Sequence, residues 1–511
     1  MSAVVATSDV GATEAKTDPA PPTEEAPYSI FDKRQKSLII VLITVAATFT
    51  GLASNIYFPA IPTVAKDLNV TPELINLSVT SYLVLQGLAP SLWGPLSDAR
   101  GRRVAYCCIF VVFLGACIGL ACLQNYATLV VLRCLQSAGS ASGIAIGSGV
   151  LADITTRSER GGYMGIFQAG LLTPVAIGPV IGGALAGSLG WRSIFWFLTI
   201  YAGVYLIFLI LLLPETLRSV VGNGSHKPSS WATRYPLELY QRTSALNTEH
   251  MPSTLAAKRS LDVVEPLRIL ISKQAAPIVV FMAIYYAVWQ MSITAMSTLF
   301  ATRYGLNESQ IGLTFIANGI GSMIGTLASG KILDYDYRRV KTKHHSKCGN
   351  GDALVLSRIQ TEVDFPLEQA RLRLMPIFAG VQCLAILLFG WSIQYSEKVS
   401  IAAPIVSTFL SGLTAVSAQS VTMTYLIDSF PDRSAAASAT VNLARCLCAA
   451  GGTSFIVPMI NAVGVGLAFT ICTIVQCLAF ILVIVQWRYA GGWRQAADEK
   501  RLTSAERKLP S

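Results

Sequence analysis

Twelve stretches of about twenty mostly apolar residues recur along this 511-residue chain. They fall near 38–61, 74–93, 104–123, 128–150, 162–188, 192–213, 276–300, 311–333, 375–394, 401–427, 434–460 and 463–486. At 1.5 Å per residue, about twenty residues cross the ~30 Å apolar core of a bilayer. Gly and Pro interrupt several stretches and blur their ends. The expected fold is therefore an all-α polytopic membrane protein with twelve transmembrane helices. Only 13% of residues are charged, against roughly 25% in soluble domains. The lipid bilayer is thus the first partner that the chain demands.

The net charge of +10 would suggest nucleic acid in a soluble protein, but here its placement decides otherwise. Lys33, Arg34 and Lys36 precede the first segment. Arg100, Arg102 and Arg103 follow the second, and Arg157 and Arg160 the fourth. Arg338, Arg339, Lys341 and Lys343 follow the eighth, and Arg488 and Arg494 the twelfth. The alternate connections, at 124–125 and 461–463, carry no charge. This asymmetry predicts both termini in the cytosol and no role in nucleic-acid binding. Residues 1–36 read as a disordered cytosolic tail, rich in Ala, Pro, Thr and Glu. They lack the basic start and apolar run of a signal peptide. Ten of the eleven cysteines lie in or at the ends of apolar segments, Cys348 being the exception, which suits helix packing rather than a disulfide framework.

A polar stretch at 214–275 splits the chain into bundles at 37–213 and 276–486, the second carrying a long cytosolic loop at 334–374 before a tail at 487–511. Two charged knots mark the halves, "GPLSDARGRR" at 94–103 and "GKILDYDYRR" at 330–339. Asp98 and Asp334 lie 236 residues apart (334 − 98), and Gly94/Gly330, Arg102/Arg338 and Arg103/Arg339 share that offset. Two pseudo-symmetric six-helix bundles follow, an architecture that in transporters holds substrate near the midplane between the halves. Gly94, Asp98, Arg102, Arg103, Asp334, Arg338 and Arg339 are the expected gating residues, a charge cluster that can form in one conformation and break in another. In the fifth segment, "TPVAIGPVIGGAL" sets Gly178, Gly182 and Gly183 for close helix approach, with Pro174 and Pro179 for bending.

The first knot, G-x-L-x-D-x-x-G-R-R, resembles the signature loop of the major facilitator superfamily. Arg133 in "VVLRCLQSAGSA" resembles that family's helix 4 arginine motif. "GPVIGG", containing Gly178, Pro179, Gly182 and Gly183, resembles its antiporter motif, although Pro174 stands where a glycine is usual. In the second knot Tyr337 replaces the glycine found at Gly101. "SNIYFPAIP", "VLQGLAPSLWG", "RSIFWFLTI", "LLPETLR" and "DFPLEQARLR" resemble the fungal twelve-spanner drug:proton antiporter family, in the branch of quinidine-resistance-type and citrate or itaconate exporters. The resemblance covers roughly 38–490. It implies alternating access, protons as coupling ion, a small-molecule substrate, a monomer and the plasma membrane, with no cofactor. The lone P-loop near-match, "GTLASGKI" at 325–332, has Ile332 where Ser or Thr should hold magnesium and sits inside a helix.

Ionisable groups at membrane depth are expensive and default to function. Arg133 lies early in the fourth segment and Arg445 in the eleventh. Gln136 follows Arg133 at helical spacing, and Asn442 precedes Arg445 by one turn. Asn55, Gln168, Tyr286, Trp289 and Gln290 complete the expected substrate-binding and coupling set. No Asp or Glu lies deep in a segment; Asp153 and Asp428 stand at cytosolic ends. Two intramembrane guanidiniums without a counter-acid favour an anion, which they bind through paired donors. The expectation is export of a carboxylate metabolite, citrate- or itaconate-like, with multidrug efflux as the alternative and a sensor on the same fold as a third reading. Neither a nucleophile elbow nor metal-ligand spacing is present, so no catalytic or metal site is expected; the histidines, including those of "HHSKC" at 344–348, lie in expected loops. Asn307-Glu-Ser309 is a candidate glycosylation sequon in an external loop.

Overall fold

The computed structural model describes residues 29–156, 159–223, 265–348, 367–430 and 434–506, and these contain no strand. Twelve long helices dominate: α1 Lys33–Asn55, α2 Pro72–Arg100, α3 Arg102–Cys122, α4 Tyr126–Ile154, α5 Arg160–Leu189 and α6 Arg192–Leu212. The second set is α7 Ala276–Tyr304, α8 Glu308–Cys348, α9 Met375–Gln394, α10 Ala402–Ser429, α11 Ser434–Val463 and α12 Val465–Glu506. Local chemistry sets their ends. Asn125 Oδ1 accepts from Thr128 N at 2.8 Å to start α4. Asn307 and Gln310 form a reciprocal capping box for α8, at 2.9 and 3.1 Å. Gly305, at φ +65°, ends α7.

Among the described residues, eleven helices are long and apolar enough to cross a membrane. The twelfth, α2, is diluted by Asn76, Ser78, Tyr82, Gln86 and Ser97, all buried. It is packed between α4 and α11, so its polar side chains face protein rather than lipid. The opposite pattern holds on α6, where Trp196, Ile200, Val204 and Ile207 are exposed at helical spacing, as a lipid-facing stripe requires.

Packing repeats between halves. In the first, α4 contacts α1, α2 and α3, α5 contacts α1, and α6 contacts α3; in the second, α10 contacts α7, α8 and α9, α11 contacts α7, and α12 contacts α9. The halves meet at two seams related by the same six-helix shift, α2 on α11 and α5 on α8.

Two expected connections differ. The 334–374 loop is helical up to Cys348 and again at Leu367–Arg371. The 487–511 tail is helical to Glu506. Charge alone does not stop a helix; a backbone breaker does. At the first knot Gly101 adopts φ +112° and separates α2 from α3. Tyr337 cannot do this cheaply, and no Gly or Pro occurs from 331 to 348, so α8 runs on. Of the expected tail at 1–36, residues 1–28 lie outside the described residues and Lys33–Lys36 already belong to α1; most of 214–275 also lies outside them.

Candidate functional site

The two intramembrane arginines occupy different environments. Arg133, seven residues from the start of α4, lies between the rings of Tyr57 and Tyr82, each centroid 4.4 Å from its guanidinium carbon. Its Nη1 donates to Gln136 Oε1 at 2.7 Å and Ala53 O at 3.2 Å. Gln136 Nε2 reaches Cys117 Sγ at 3.3 Å, and Tyr82 OH shares a 3.0 Å bond with Ser140. The whole cage is buried within the first half. Its charge is stabilised by two aromatic faces and neutral acceptors, a packed arrangement with no carboxylate.

Arg445 sits at the α2–α11 seam and is only partly buried. Asn442 Oδ1 accepts from its Nε at 3.2 Å and Nη2 at 2.8 Å. The Tyr286 ring lies beneath it, 4.9 Å from the guanidinium carbon, with Trp289 edge-on to Tyr286 at 5.4 Å. Trp289 Nε1 donates to Asn318 Oδ1 at 3.0 Å. Thus α7, α8 and α11 bring together Tyr286, Trp289, Asn318, Asn442 and Arg445. Asn442 Nδ2 also donates to Gln86 O of α2 at 3.3 Å. Tyr82 of the Arg133 cage lies one turn from Gln86, so α2 joins the two arginine clusters. Gln290 is buried nearby on α7. Asn55 is committed elsewhere, donating to Gly51 O of its own helix at 2.7 Å. Gln168 is exposed on α5 and joins neither cluster.

Away from the arginine-rich ends, on what we call the far side, polar contacts close both seams. Thr63 donates to Glu308, Ser309 to Gly183 O at 3.2 Å, and Ser297 to Phe58 O at 2.6 Å. Asn461 donates to Glu73 at 2.7 Å, and Thr80 bonds Ser454 at 2.8 Å and Thr453 at 3.2 Å. The α5 motif works here. A Cβ on Gly182 would strike Ile56 O, and one on Gly183 would strike Glu308 O and the backbone of Gly312. Gly178 and the buried Pro179 complete that face, Pro179 O lying where a Cβ on Gly312 would sit. Toward the basic side, Gly94 and Gly330 face open space. Asn307 is exposed at the far side, while Ser309 of its sequon is tied to α5.

On the basic side the first knot is an ion cluster. Arg102 pairs with Asp98 at 2.5 Å and Asp153 at 3.1 Å. Glu215, just beyond α6, accepts from the backbone N–H of Arg102 at 2.8 Å and of Arg103 at 3.2 Å, capping α3 with a buried acid. Arg103 donates to Leu213 O and, at 2.7 Å, to Ile210 O. Nearby, Lys36 meets Glu159 at 2.8 Å and holds that carboxyl below its ordinary range. In the second half the arginine of the corresponding pair comes from outside the second knot, although the knot's Asp336 and Tyr337 take part. Arg371 donates to Asp428 at 2.8 Å and stacks on Tyr337 at 4.4 Å, and Arg373 pairs with Asp336 at 3.0 Å. Arg338 and Arg339 are exposed, and the Asp334 side chain lies outside the described residues. The 236-residue offset therefore matches the end of α2 to a point inside α8, whereas the ion pairs that correspond are Arg102–Asp153 and Arg371–Asp428. Sequence reasoning assigned no role to Glu215 or Arg371, although both lie in quoted motifs, "LLPETLR" and "DFPLEQARLR". Among the described residues no group of three His, Cys, Asp or Glu is placed to hold a metal.

A family model described as the Major Facilitator Superfamily matches residues 43–346. Over 487 residues the chain is 36% identical to Citrate exporter 1 of Aspergillus niger, covering 95% of this chain and 92% of that protein. It is 33% identical over 474 residues to Quinidine resistance protein 1 of Saccharomyces cerevisiae, covering 89% and 84%. Among solved structures, the xylose transporter XylE from E. coli, in a partially occluded inward open conformation, matches with a TM-score of 0.58 at 14% identity. That match covers 89% of this chain and 99% of XylE and is a likeness of fold.

Proposed function

This chain belongs to the major facilitator superfamily and is a multi-pass membrane transporter rather than an enzyme; on that premise we propose that it exports a small carboxylate in exchange for protons. The observation that carries this reading is Arg445. Its guanidinium stands at the seam between the halves, clasped on one edge by a neutral amide and floored by Tyr286. A cation in that setting selects an anion, and its planar fork pairs with a carboxylate. The 36% identity to Citrate exporter 1 supports the same class. Arg133, packed inside its half, serves the architecture or the coupling ion rather than the cargo. The basic side is the cytosol, the protein acts as a monomer in the plasma membrane, and the present shape, closed on the far side, faces inward.

The test is extracellular metabolite profiling of cells lacking or overproducing the protein, together with citrate flux in vesicles under an imposed pH gradient. Organic acids should rise outside the overproducer, and flux should collapse with a protonophore. Unchanged organic acids alongside altered drug tolerance would sink the carboxylate reading. That outcome would support the second reading, a multidrug:proton antiporter, which the Tyr286–Trp289 aromatic wall and the 33% identity to Quinidine resistance protein 1 favour.

A further inference from the structure

Asn442 hydrogen-bonds both the arginine and the opposite half. Its carboxamide has two faces with opposite chemistry. Arginine offers only donors, so Oδ1 must turn to Arg445, and Nδ2 is left for an acceptor. That acceptor is Gln86 O on α2, at 3.3 Å across the seam. The approach depends on Gly87, where a Cβ would lie 3.0 Å from Cys446 Cβ and 3.6 Å from Leu443 O. Among the described residues no carboxylate fixes Arg445; Asn442 and the Tyr286 face orient its fork.

We propose that Asn442 is a positioning residue that makes the presentation of Arg445 depend on closure of the α2–α11 seam. While the seam is closed, Gln86 O fixes the amide, and the amide fixes Nε and Nη2, turning the remaining guanidinium edge toward the space between the halves. When α2 and α11 part, the Gln86 contact is lost and the amide turns freely. Arg445 then loses the orientation that suits a bidentate carboxylate. Cargo affinity is thereby tied to which side of the transporter is shut, and only weak hydrogen bonds need to change. The inference rests on the reading of Arg445 as the anion site.

The test is a double-mutant cycle on the full-length chain, using citrate as the probe. Asn442→Ala should weaken citrate binding roughly tenfold, the scale of a lost hydrogen bond to a charged group. Gly87→Ala, which wedges the seam, should weaken it roughly threefold in the parent but add nothing in the Asn442→Ala background. A second readout needs no cargo: phenylglyoxal labelling of Arg445, followed by peptide mass spectrometry, should rise in either single variant and no further in the double. Additive effects in both readouts would overturn the proposal. Should the parent fail to bind citrate, the carboxylate reading falls, while the labelling cycle still decides whether Asn442 links seam and arginine. If Gly87→Ala fails to insert, Cys446→Leu places bulk at the same contact.

Discussion

At the residue scale, Arg133 and Arg445 present the same anomaly in the sequence, one cation in an apolar segment. Their surroundings separate them, and those surroundings are non-local. Tyr57 reaches Arg133 from the turn after α1 and Tyr82 from α2, and no spacing rule links position 57 to 133. The expected outcomes therefore differ. Arg133→Ala removes a cation from between two aromatic faces and leaves Gln136 Oε1 without its donor, which should destabilise the protein by about 2–4 kcal/mol. Thermal unfolding in detergent would show a drop of several degrees. Arg445→Gln should leave the unfolding temperature near the parent value while reducing citrate flux about tenfold or more, and Arg445→Lys should recover only part, because an ammonium lacks the planar fork. Retained flux in Arg445→Gln would remove that residue from the site.

At the element scale, twelve helices were legible because length and apolarity are local properties. Even α2, the least apolar, was found, although its polar residues are explained only by burial against α4 and α11. The second knot was less legible. Its charges repeat those of the first, but the difference between a corner and a continuous helix rests on Gly101 against Tyr337. The ion pair that corresponds moved to Arg371, 33 residues beyond Arg338 (371 − 338), where alignment of knots could not find it. Gly101 also lies against Glu215, so Gly101→Ala combines an unfavourable positive φ with a clash. It should cost about 1–3 kcal/mol, seen as lower yield and earlier unfolding. Gly183→Val at the α5–α8 contact should instead leave each half intact but prevent far-side closure. Transport would be lost while helix content, followed by circular dichroism, stays unchanged.

At the scale of the molecule, the pseudo-symmetry read from one offset reappears as a repeated set of helix contacts and two matched seams. Which seam residues meet was not legible, because Thr80 and Ser454 are far apart in the chain and chemically ordinary. They supply a global test. Cysteines at both positions should form a cross-link that holds the far side shut, blocking flux until a reductant is added. Flux unaffected by the cross-link would mean that this seam does not open during transport.

The fastenings on that side are hydroxyls, amides and two carboxylates, with no ion pair among those named. Hydrogen bonds between membrane helices contribute about 0.6 kcal/mol each on average, so six of them hold the door with roughly 4 kcal/mol. One pH unit across a membrane is worth about 1.4 kcal/mol per proton, and 100 mV about 2.3 kcal/mol per charge. The latch is thus matched in size to an ordinary electrochemical gradient. On the proposed coupling, moving one charge down such a gradient supplies energy on the scale needed to part these contacts.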